Sequence, residues 1–139
     1  MSWLIWSLLS AFFAAVTAVL AKVGVSGVDS NLATAIRTVV IVLFAWAIVG
    51  VTYRTGEFAN VTQKGWLFLV LSGVATGLSW LCYFRALQLG PASKVAPIDK
   101  LSVVFVILFA SAFLGEQLST LKIAGGLLIA AGTITLVFS

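Results

Sequence analysis

The sequence predicts an all-α integral membrane protein, a five-transmembrane-helix bundle forming one domain over residues 1–139. Three observations lead there. Hydrophobic residues make up 62% of the chain and charged ones only 9%, with a mean hydropathy of +1.20. A soluble domain of this size buries only about two-thirds of its unfolded surface, too little to hide so much apolar area, so lipid must be the solvent. The apolar residues fall into five runs of about spanning length, roughly 20 residues each. The charges lie between those runs or near their ends, one or two at a time.

The first segment, residues 3–21, carries no charge, and Trp3 and Trp6 suit an interfacial aromatic belt. No Lys or Arg precedes it, so it reads as a retained helix rather than a cleaved leader, although Val19-Leu20-Ala21 has the small-residue character of a cleavage site. Gly24 and Gly27 break the chain, and Asp29, Ser30 and Asn31 are N-cap residues for the second segment. That segment, residues 31–53, contains Arg37. The polar loop from Arg54 to Lys64 separates it from the third segment, residues 65–89, which has Arg85 near its end. Gly90-Pro91 makes a turn into the fourth segment, residues 94–114. Gly115 to Thr120 leads to the fifth, residues 121–138. Short connections make consecutive helices antiparallel neighbours. Small residues at four-residue spacing favour close approach of helices in lipid. They are Gly73 and Gly77 in segment three and Ser10, Ala14 and Ala18 in segment one, with Gly125, Gly126 and Ala130 doing similar duty in segment five.

The same composition removes several classes of function. The net charge of +4 comes from scattered Lys and Arg residues without a basic patch, so no nucleic-acid partner is expected. The sequence has no His and a single Cys, Cys82. An intrachain disulfide is therefore impossible, and the commonest metal ligand is missing. No Walker-type phosphate loop, paired carboxylates or nucleophile with a base can be found. No enzyme activity, cofactor or metal is expected.

The polar residues inside the segments are then the candidates. Ser72, Thr76, Ser79 and Tyr83 recur at spacings of four, three and four and share one face of a helix. That face fits a substrate pathway flanked by Trp80 and Phe84, and it equally fits hydroxyls bonded to their own helix. Ser7, Ser10 and Thr17 form a weaker stripe on segment one. Arg37 lies about 10 Å along segment two. A central Arg costs about 2.5–3.5 kcal/mol on insertion scales, enough to require a partner. An anion, Asp99 or a snorkel back to the headgroups would each serve. Asp99, beside Lys100, is the one acid inside a segment. A desolvated carboxylate can load and release a proton, so this pair is the candidate for ion coupling. Gly90, Pro91 and Pro97 are candidates for helix breaking and gating. Pro97 donates no backbone N–H and either opens the start of segment four or sits in its first turn, where proline is welcome.

At Gly90-Pro91, at Val95-Ala96-Pro97-Ile98, at Leu114-Gly115-Glu116-Gln117-Leu118 and at the Gly-rich run Ala124 to Gly132, the chain resembles an EamA domain. That domain is the repeat unit of the drug/metabolite transporter superfamily. The resemblance covers nearly the whole chain and implies a half-size member, since common members carry two such domains in tandem. Two five-helix copies fused in tandem are inverted relative to each other, because five is odd. Transporters use inverted repeats to build two gates around a midplane site. An unfused half can rebuild that arrangement as an antiparallel homodimer.

Charge placement leaves orientation open. Arg54, Lys64 and Lys122 fall on one side, and Lys22, Arg85 and Lys94 on the other, so the positive-inside bias is nearly balanced. A single orientation with the N-terminus inside and a dual topology are both consistent with it. The expected function is transport of a small organic metabolite or drug-like molecule by alternating access, proton-coupled or by exchange. The working unit would be a dimer in the inner (plasma) membrane. The alternative is a non-transporting helper subunit or a lipid-handling protein.

Overall fold

A computed structural model describes residues 3–52 and 61–139. Among these the chain forms helices and turns, with no strand. The elements are α1 (Trp3–Gly24), α2 (Ser30–Thr52), α3 (Gln63–Leu89), α4 (Ala92–Asp99), α5 (Ser102–Leu114) and α6 (Thr120–Phe138). Among the described residues five stretches are long and apolar enough to cross a membrane, with α4 and α5 together making one of them. Most large apolar side chains face outward, Phe12, Leu43, Phe68 and Leu128 among them. Outward-facing apolar side chains are what lipid as solvent accommodates. Phe105, Phe109 and Phe113 form an exposed ridge along α5, their ring centroids 6.3 and 6.2 Å apart, as the four-residue repeat dictates.

The helices group into two compact units. Met1–Lys22 with Leu89–Ser139 forms one, and Val23–Gln88 the other.

In the first unit α4 and α5 both pack on α6. Gly126 lies at this contact, where a Cβ would sit at ordinary van der Waals distance, 3.6 Å, from Ile107 Cδ1 on α5. Gly115 ends α5 in the left-handed conformation at φ 69°. The amide of Glu116 donates to the Ala110 carbonyl at 3.2 Å, which folds the chain back onto the last turn of α5. Ser119 starts α6, its hydroxyl accepting from the Lys122 amide at 3.2 Å. The fourth spanning stretch is broken rather than continuous. Pro97 lies inside α4, past the first turn, and cannot donate to the Ser93 carbonyl. Three residues on, the backbone tightens. The amides of Lys100, Leu101, Val103 and Val104 each donate to the carbonyl three residues back, at 2.9–3.0 Å, in 3₁₀ fashion.

In the second unit α2 and α3 form an antiparallel pair. Asp29 caps α2, its carboxylate accepting from the amides of Asn31 and Leu32 at 2.9 and 3.2 Å. The turn before it contains Gly27 at φ 79°. The Gln88 amide on α3 donates to the Val28 carbonyl at 2.5 Å and accepts from Arg85 at 3.0 Å. These contacts pin the end of α3 to the start of α2. Phe84 and Leu87 are buried on α3, Ser30 and Thr34 on α2. The glycines of Gly73-x-x-x-Gly77 face open space, since a Cβ at either would meet nothing within 4 Å.

Candidate functional site

The second unit brings together the most costly side chain in the chain and two of its aromatics. Arg37 projects from α2 toward α3, its guanidinium carbon 4.5 Å from the centroid of the Trp80 ring and 5.4 Å from that of Phe84. Both distances lie within cation–π range. Trp80 and Phe84 are one turn apart on α3 and Arg37 reaches both. Tyr83 stands beside them, its ring 6.5 Å from that of Phe84 in an edge-on arrangement. Helix rise places Trp80 about 13 Å and Phe84 about 7 Å from the end of α3. The guanidinium lies nearer Trp80, the ring farther from the end of α3, so the side chain is turned onto α3. Among the described residues the ion pairs are Asp99–Lys100 and Glu116–Lys122, and no acid pairs with Arg37.

The α2 face that carries Arg37 is polar, which sequence reading did not single out. Ser30, Thr34, Arg37 and Thr38 follow the three- and four-residue spacings of one face. The Thr34 hydroxyl donates to the Ser30 carbonyl and the Thr38 hydroxyl to the Thr34 carbonyl, both at 2.8 Å. Back-bonding of this kind satisfies a threonine inside its own helix. The spacing was visible in the sequence, but the identity of the facing helix was not.

The α3 stripe divides. Ser72, Thr76 and Ser79 are exposed in the isolated chain, while Trp80 and Tyr83 are half-buried. The Thr76 hydroxyl donates to the Ser72 carbonyl at 2.8 Å. Ser10 is exposed on α1.

The first unit holds the remaining candidates. Asp99 ends α4 and pairs with Lys100 at 3.2 Å, at the break before α5. The carbonyl of Pro97 is a junction, accepting from the Lys100 amide at 3.0 Å and from the buried Thr133 hydroxyl of α6 at 3.3 Å. The Gly90 carbonyl, at the turn before Pro91, accepts from Lys22 Nζ at 2.8 Å. Lys94 Nζ donates to the Val137 carbonyl at 2.9 Å. Cations at helix C-termini satisfy orphan carbonyls and complement the helix dipole. Glu116 holds Lys122 at 3.0 Å across the turn before α6. An apolar cleft of about 310 Å³ lies between α5 and α6, lined by Val104, Ile107, Leu108, Ile123 and Leu127, with Lys122 at its rim.

Fold and site together define a multi-pass membrane protein whose helices carry polar and cationic groups into the spanning region. The family model described as the EamA-like transporter family matches residues 1–138. A Sinorhizobium protein named "Uncharacterized transporter in cobO 3'region" is 54% identical over 135 residues, covering 97% of this chain and 96% of its own. The chain belongs to the EamA-like transporter family. No solved structure matches it at a significant level.

Proposed function

We propose that the chain is one half of an alternating-access transporter for a small organic molecule and works as a homodimer of five-helix halves. The observation that carries this reading is Arg37, a cation inside a spanning helix, stacked on Trp80 and Phe84 and left without an acid partner among the described residues. Such a charge is costly in a spanning helix, and ionisable groups inside membranes mark substrate and ion routes. The exposed hydroxyls of Ser72, Thr76 and Ser79 on the same helix supply a polar face, which the other half of the dimer would cover. Five spans put the two termini on opposite sides, so an antiparallel pair reproduces an inverted repeat. The Asp99–Lys100 pair at the α4–α5 break is the proposed coupling site. Gly90, Pro91 and Pro97 are the positions at which the first unit would bend.

The test is counterflow in proteoliposomes loaded with a mixture of small organic acids, amines and neutral analogues. Exchange of any one class above empty liposomes supports transport. Absence of exchange for all three classes, from protein that is folded and correctly reconstituted, favours the helper-subunit reading instead.

A further inference from the structure

The chemistry of Arg37 carries one step further and names the class of ligand. A guanidinium is planar. Its faces stack on aromatic rings and its edge carries five N–H donors. Trp80 and Phe84 engage this group through their rings, and rings accept no conventional hydrogen bond from the edge. Among the described residues no carboxylate meets Arg37 and no side chain or carbonyl accepts a hydrogen bond from it. A half-buried cation whose donors meet no protein acceptor is free to take one from a ligand, and the one a guanidinium fork matches is an oxyanion, bound through two parallel N–H···O bonds. The two rings also hold the guanidinium in place before any ligand arrives, which lowers the ordering cost of binding.

We infer that Arg37, Trp80 and Phe84 form an oxyanion-binding site, with the guanidinium edge taking a carboxylate or phosphate and the rings flanking the body that carries it. The site rests on the geometry alone. That its ligand is the transported molecule rests on the proposed transport function. A free organic acid and the headgroup of an anionic lipid present the same chemistry, and the two sources are separable.

The experiment uses the full chain in nanodiscs of phosphatidylcholine, with and without phosphatidylglycerol, and measures equilibrium binding of radiolabelled benzoate. Benzamide, the neutral isostere, serves as competitor. In phosphatidylcholine alone, benzoate binds and unlabelled benzoate displaces it, whereas benzamide does not. R37Q weakens binding by about tenfold or more, as expected when a charged donor pair is removed. R37K keeps the charge but loses the fork, and falls between the two. It also keeps the test valid should R37Q fail to fold. If phosphatidylglycerol abolishes benzoate binding in the wild type, and native mass spectrometry shows it retained by the wild type and lost from R37Q, the oxyanion site stands with a lipid headgroup as its source. Benzamide competing as well as benzoate overturns the proposal. So does binding of both benzoate and phosphatidylglycerol that is indifferent to R37K and R37Q, or no binding of either. Because binding is read at equilibrium, R37-dependent binding without counterflow would remove the transport reading and leave the site in place.

Discussion

At the scale of single residues, the stability of the α2–α3 pair depends on how Arg37 is accommodated. Removing a ring it stacks on exposes the cost of the charge, whereas removing an equally large ring elsewhere does not. Trp80→Leu is therefore expected to lower the stability of the detergent-solubilised chain by about 0.5–2 kcal/mol, read as a lower thermal unfolding midpoint. Trp66→Leu, at a half-exposed position on the same helix, serves as the control and should leave the midpoint nearly unchanged. Equal shifts in the two variants would mean that the stacking contributes nothing specific. Asp99 makes a different prediction. Its partner Lys100 is its neighbour in sequence and their pair is partly exposed, so the bond adds little to folding. Asp99→Asn should keep the wild-type unfolding midpoint and lose proton-driven substrate movement. Counterflow in that variant with wild-type pH dependence would remove Asp99 from the coupling role.

At the scale of elements, the caps and breaks can be tested one at a time. Gly115 adopts φ 69° and a Cβ there meets nothing within 4 Å, so substitution costs only backbone strain. Gly115→Ala should destabilise by about 1 kcal/mol and Gly115→Asn by less, since Asn tolerates the left-handed region. An unfolding midpoint for the Ala variant equal to wild type would show that the turn relaxes to another conformation. Thr133→Val removes the hydroxyl from the Pro97 carbonyl while keeping its shape, at a cost of about 1 kcal/mol. What was legible in the sequence follows the same division. The spanning segments were legible because lipid demands a long apolar run, a property of local composition. Gly115 and the Asp29 cap were legible because their chemistry is confined to a few residues. The break at Lys100–Leu101 was not, because Pro97 was compatible with a harmless first-turn position, and the Thr133 hydroxyl that meets its carbonyl comes from 36 residues away. Arg37 was visible as a cost, and Trp80 and Phe84 as large rings flanking a polar stripe. Their meeting depends on the register of α2 against α3, set by Gln88 reaching the Val28 carbonyl, a pairing that no periodicity encodes.

At the scale of the whole molecule, an odd number of spans decides what a second copy can do. Two copies in one orientation give a parallel dimer with no inverted half, whereas two copies in opposite orientations give the inverted pair that alternating access uses. The basic residues do not choose strongly between these arrangements. Lys22 and Lys94 are already engaged with backbone carbonyls, and Lys122 with Glu116. The open Gly73-x-x-x-Gly77 face on α3 offers a close-packing surface of the kind that associates helices in lipid. The expected outcome is a mixed population. With exposed Cys82 replaced by Ser, single cysteines at Thr62 and at Ser139 report opposite sides of a five-span chain. An impermeant thiol reagent applied to sealed vesicles of known sidedness should label about half of the molecules at each position, because opposite insertion exchanges the two sides. Gly73→Leu with Gly77→Leu should reduce the crosslinkable dimer without changing those fractions, since the glycines act on packing and not on insertion. Labelling that is complete at one position and absent at the other would establish a single orientation. The inverted partner would then have to be a different chain, and the antiparallel homodimer would be abandoned.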